Sequence, residues 1–164
     1  MEHNHAKHSY TQNNYLPLIV VIVLITATAA VTSIDQGVYA FVVHFMAGFF
    51  LVFGGLKLLS LREFVDGYAL YDLLAARWRG YGYVYPFIEI AFGFSMLSGF
   101  HPDWLLLVEA ALMLFSGIGV LFAIRKQNDI QCVCLGSALN VPLTYVTLVE
   151  NMGMMTLAIA LILW

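Results

Sequence analysis

The chain has 164 residues, of which 62% are hydrophobic and 10% charged, with a formal net charge of −3 and a mean hydropathy of +0.85. That leaves too little polar surface for a soluble globular domain, and the composition is that of a membrane protein. The seven basic residues form no strip able to follow a phosphate backbone, which excludes a nucleic-acid partner and makes the lipid bilayer the first partner.

Residues 1–15 are polar and read as a disordered tail, in which His3, His5 and His8 could hold a metal ion weakly. Residues 16–164 read as a single helical bundle, an all-α integral membrane fold. A bilayer core of about 30 Å takes about 20 helical residues to cross, and apolar segments at 16–34, 38–60, 83–99, 104–124 and 142–163 fit five such spans. The first run is read as a retained span rather than a secretory signal, because a polar tail precedes it and further spans follow at once.

Between the second and third spans, residues 61–79 change character. Leu61, Phe64, Val65, Tyr68, Tyr71, Ala75 and Trp78 recur at steps of three and four among Arg62, Glu63, Asp66, Arg77 and Arg79. This pattern predicts one amphipathic helix, interfacial or re-entrant, ended by Gly80-Tyr81-Gly82, with Pro86 in the first turn of the next span. Glycines at 48, 54, 55, 117 and 119 predict close helix packing, and Trp78, Trp104 and Trp164 predict interface anchors.

With five spans and the amino terminus inside, Lys7, Lys57, Arg62, Arg77, Arg79, Arg125 and Lys126 all fall on the cytoplasmic side of a bacterial-type inner membrane. The same topology puts Cys132 and Cys134, the only two cysteines, on that side.

These cysteines carry the clearest chemistry. Two thiols one residue apart can close a strained, easily reduced disulfide or share a soft monovalent copper ion, and the spacing does not choose between the two. Arg125, Lys126 and the start of the fifth helix would favour the reactive thiolate. Glu89 and Glu150 each lie about 9 Å inside the same end of the bundle, at 1.5 Å per helical residue, with Lys57 at similar depth as their partner. Such a cluster could relay protons during thiol exchange or act as a buried polar clamp. Glu109 and His44, toward the other end, could form a separate pair. The methionines, Met152, Met154 and Met155 included, read as packing residues, because adjacent helix positions do not share a face.

The run 68–75, the segment Tyr83-Val84-Tyr85-Pro86-Phe87-Ile88-Glu89, the motif Cys132-Val133-Cys134-Leu135-Gly136 and the stretch from Pro142 to Asn151 together resemble the MauE branch of the DoxX-like membrane proteins, over about residues 40–160. The resemblance implies a small helical membrane protein, associated with methylamine utilisation, that assists electron transfer or disulfide-linked maturation of a partner. It implies Cys132 and Cys134 as the redox pair, and Asp72, Pro86, Glu89 and Glu150 as motif positions without an assigned role. Two cysteines cannot pass electrons across a bilayer unaided, so a thioredoxin-like partner or a quinone is expected. The alternatives are a copper-handling protein using the same thiols, fed by the histidine tail, and a non-catalytic subunit of a membrane complex.

Overall fold

The computed structural model describes residues 15–69, 72–125 and 143–164. The histidine tail and the segment 126–142, which contains Cys132 and Cys134, lie outside the described residues. Within them the chain is all-helical: α1 Leu16–Thr32, α2 Gly37–Leu59, α3 Leu61–Tyr68, α4 Leu73–Arg77, α5 Arg79–Leu97, α6 Asp103–Arg125 and α7 Leu143–Leu163. α2 and most of α6 are long and apolar enough to cross a membrane, while α1 and the greater part of α7 are shorter apolar helices.

Local chemistry sets the ends of these helices. Pro17 sits in the first turn of α1, where its missing N–H would have no intrahelical acceptor. Gly37 opens α2 with φ +84°, and Gly99 closes α5 with φ +75°, a left-handed conformation that favours glycine. Beyond Ser98, the amide of Gly99 bonds the Met96 carbonyl at 3.1 Å and that of Phe100 bonds Ser95 at 3.0 Å, so the last carbonyls of α5 are satisfied.

Two antiparallel pairs make the bundle, α2 with α5 and α6 with α7, joined by contacts of α2 with α7; α1 packs on α2. The seams are glycine contacts. A Cβ on Gly54 would lie 2.9 Å from Ile90 Cγ1 and 3.2 Å from the Pro86 carbonyl, and one on Gly93 would lie 2.7 Å from Leu51 Cγ and 3.0 Å from the Ala47 carbonyl. Only a residue without a side chain lets α2 and α5 come this close. Gly117 gives the same access to the methyl group of Met152. Met46, Met96, Met113 and Met154 are buried packing residues. Large apolar side chains such as Ile19, Val23, Phe87, Phe94, Phe115 and Phe122 are exposed around the outside, as on a surface that lipid covers.

The segment 61–79 departs from the single amphipathic helix expected of it. It holds two short helices, and Asp72 starts the second: its carboxylate accepts the backbone amides of Leu74 and Ala75, both at 2.9 Å. α3 turns Phe64, Val65 and Tyr68 inward and Arg62, Glu63 and Asp66 outward. The break before the next helix falls at Trp78, whose backbone is extended (φ −142°, ψ 97°), and not at Gly80-Tyr81-Gly82, which are already helical. α5 therefore begins earlier than residue 83, and Pro86 lies inside it rather than in its first turn. Among the described residues, Lys57, Arg62, Arg77, Arg79 and Arg125 all lie at the end of the bundle where α2 and α6 finish and α5 begins.

Packing at Gly93 is expected to be far less tolerant than at Gly55, where a Cβ would meet nothing within 4 Å. Gly93→Ala should destabilise the bundle by about 1–3 kcal/mol through overpacking. Gly55→Ala should leave thermal unfolding in detergent unchanged or slightly raised. Equal unfolding temperatures for the two variants would contradict the seam.

Candidate functional site

At the basic end, five helices converge on one polar cluster. Lys57 stands in the last turn of α2 and Glu89 near the middle of α5; both are buried, and Lys57 Nζ is ion-paired with Glu89 Oε1. α2 and α5 meet through Gly54, close beside the Glu89 Cβ, so the glycine seam sets how near the two charges come. The ammonium also lies over two aromatic faces, 5.1 Å from the Tyr85 ring centroid and 5.6 Å from that of Phe64. Ring faces carry negative potential and stabilise a cation withdrawn from water. Tyr68 completes the aromatic wall, its ring 4.8 Å from Tyr85 and 4.9 Å from Phe64.

α6 and α7 supply the opposite wall. The Asn151 amide donates to Ser116 Oγ at 3.2 Å, and Thr147 is buried one turn before Asn151 on α7. Glu150 lines the same small cavity as Lys57, Glu89, Ser116, Thr147 and Asn151. The cavity has a volume of about 20 Å³, enough for one water-sized group. Glu150 also borders a second cavity, an apolar groove between α1, α2 and α7. The cluster therefore joins one cation, two carboxylates and several hydroxyl and amide groups. It can hold charge inside the bundle and pass a proton between neighbouring groups.

The structure brings Lys57, Glu89 and Glu150 to one cavity. It does not join Glu109 with His44. His44 Nδ1 lies 3.2 Å from Thr32 Oγ1, in a groove between α1 and α2. Glu109 is fully buried on α6, and among the described residues its carboxylate oxygens have no hydrogen-bond partner. The two are kept apart because α1 fills the side of α2 on which His44 projects. Cys132, Cys134, His3, His5 and His8 lie outside the described residues. Among the described residues no group of three or more His, Cys, Asp and Glu side chains is placed to hold a metal ion.

Sequence reasoning did not single out Tyr68, Tyr85, Ser116, Thr147 or Asn151 for the cluster. On α7 the signal was available: residues 147, 150 and 151 fall at helical spacing on one face. For Ser116 and the tyrosines there was none, because a serine in an apolar helix and a tyrosine in an aromatic run both read as ordinary packing.

The match to known families covers residues 35–164 and is to the model described as methylamine utilisation protein MauE. The chain belongs to the MauE family. No curated protein and no solved structure matches it. Membership in MauE, with two helices fit to cross a bilayer, makes the chain a membrane protein associated with methylamine utilisation.

Removing one member of the buried pair leaves the other charge uncompensated, whereas removing both does not. Lys57→Met is expected to destabilise the protein by about 3–5 kcal/mol. Adding Glu89→Leu should restore much of the loss. Thermal unfolding of both variants in detergent checks this, and a double variant no better than Lys57→Met would contradict it.

Proposed function

We propose that the chain is a five-span inner-membrane protein that exchanges electrons through the dithiol of Cys132 and Cys134, in support of disulfide-linked maturation or electron transfer for a thioredoxin-like partner. The observation that carries this reading is the position of the Lys57, Glu89 and Glu150 cluster. It lies at the end of the bundle where α6 stops at Arg125 and α7 starts at Leu143, the two points between which the cysteine segment runs. On the positive-inside rule, the basic residues gathered at this end make it the cytoplasmic one. The cysteines then accept or deliver reducing equivalents on the inner face.

The exchange balances without a further reactant. One thiolate of the pair attacks a sulfur of the partner disulfide, forming a mixed disulfide and releasing a partner thiolate, which takes up a proton. The second cysteine, once deprotonated, attacks the first. An S–S bond closes within the chain, and the partner leaves as a dithiol with the two electrons and two protons that the cysteines lost. In this scheme Arg125 and Lys126 favour the thiolate, Glu150 exchanges protons with the loop, and Lys57 with Glu89 holds Glu150's surroundings polar. Lys57, Glu89 and Glu150 are positioning residues in this sense.

A thiol-specific mass tag applied to acid-quenched cells is expected to resolve an oxidised and a reduced form of the wild-type chain. Glu150→Gln should keep both forms but slow their exchange by on the order of 100-fold and flatten its pH profile. A pair that stays reduced throughout, with the Cys132→Ser/Cys134→Ser variant behaving as wild type in cells, would overturn the reading.

A further inference from the structure

α6 and α7 meet along a seam whose register is marked by the hydrogen bond between Asn151 and Ser116. The two helices run antiparallel. Steps of three, four and three residues from that bond, back along α6 and forward along α7, therefore set Met113 against Met154, Glu109 against Ala158 and Leu106 against Leu161. All eight residues are buried. The seam is a stack of layers: a polar one that belongs to the Lys57 cluster, a methionine layer, a layer holding Glu109, and a leucine layer toward the other end of the bundle.

A carboxylate inside such a stack is costly unless a cation, a donor or water meets it. Both carboxylate oxygens of Glu109 are enclosed and have no hydrogen-bond partner among the described residues. The charged and titratable groups of the surrounding elements are engaged or placed elsewhere. Lys57 on α2 is ion-paired with Glu89 on α5, and Glu150 on α7 lines the cavity beside them. Met113 forms part of that cavity's wall, so the methionine layer stands between the cluster and Glu109. His44 on α2 meets Thr32 beside α1, and Asp72 caps α4. Arg77 and Arg125 are exposed at the basic end. Ahead of α6, Asp103 is exposed and His101 lies against Tyr39, with 6.0 Å between ring centroids.

We propose that Glu109 is a proton-binding site sealed within the seam of α6 and α7. A proton is the ligand this layer can hold without a cavity to receive it. It cancels the charge and turns one carboxyl oxygen into a hydroxyl donor, at no cost in volume. A hard metal cation would need several oxygen ligands at once, and the flanking methionine, alanine and leucine layers supply none. The site is separate from the Glu150 cluster, because Glu109 lies seven residues from Ser116, about 10 Å along α6 at 1.5 Å per residue. It does not depend on the thiol exchange.

Infrared absorption of the full chain in lipid nanodiscs at neutral pH, wild type against Glu109→Gln, reads the site directly. The wild type is expected to carry a protonated-carboxyl C=O band that Glu109→Gln lacks, while the carboxylate bands of the two proteins are equal. Glu109→Asp should move that band without removing it, which keeps the test decisive if circular dichroism shows that the glutamine variant does not fold. After transfer to D2O the band should shift as slowly as the protected amides of α6 exchange. Loss of carboxylate rather than acid absorption in Glu109→Gln, or an acid band unmoved in Glu109→Asp, overturns the bound proton. An immediate shift in D2O overturns the sealed site. The Cys132→Ser/Cys134→Ser variant should show the same band, so failure here and failure of the thiol exchange are told apart.

Discussion

A lysine and a glutamate buried against each other inside an apolar helical bundle are costly unless their geometry is held, since each charge gives up its hydration. In this protein the ion pair of Lys57 with Glu89 is held from several sides. Gly54 admits α5 to α2, Phe64 and Tyr85 present ring faces to the ammonium, and α6 and α7 close the cavity with Ser116, Thr147 and Asn151. The arrangement of α2, α3, α5, α6 and α7 at this end follows from that requirement. Each element brings either a group that stabilises charge or a small residue that lets such a group approach.

The two halves of the bundle divide the work. The half beyond Gly93 is a close-packed apolar core of methionine and phenylalanine, with Met46, Phe50, Phe92 and Met96. The other half carries the described basic residues, the pair of Lys57 with Glu89, the short helices α3 and α4, and the ends of α6 and α7 between which the cysteine segment runs. The exposed ion pair of Arg79 with Asp66 ties α3 to the start of α5, but a pair so open to water contributes little. Buried Tyr68 and the cap at Asp72 fix that corner more firmly, the first by stacking and the second by satisfying two helix amides. Glu109, buried on α6 with no hydrogen-bond partner among the described residues, has no role in this division.

Much of this was legible in the residues. Long apolar runs separated by Asp35-Gln36-Gly37 and Phe100-His101-Pro102-Asp103 gave the long helices within a few residues, because turn chemistry and apolar length are local signals. Charged residues inside such runs singled out Lys57, Glu89 and Glu150, since an ionisable group at that depth needs a partner or a wet cavity. The corner at 61–79 differs from its periodicity because the three-and-four pattern continues across Asp72. Period alone cannot show that an aspartate has turned from a surface charge into a cap. The partner of His44 is Thr32 rather than Glu109 because depth along a helix says nothing about which neighbour lies on each side. The groove was invisible for a related reason: it is the gap between three helices, and no single residue encodes it.

If the proposed thiol exchange draws on the buried carboxyl cluster, that cluster responds to the redox state of Cys132 and Cys134. Infrared difference spectra between the oxidised and reduced protein in lipid test this most directly. A carboxyl signal is expected in the wild-type difference spectrum and is expected to be absent from the Glu150→Gln spectrum. Identical difference spectra for wild type and Glu150→Gln, with the cysteines fully converted in both, would contradict it.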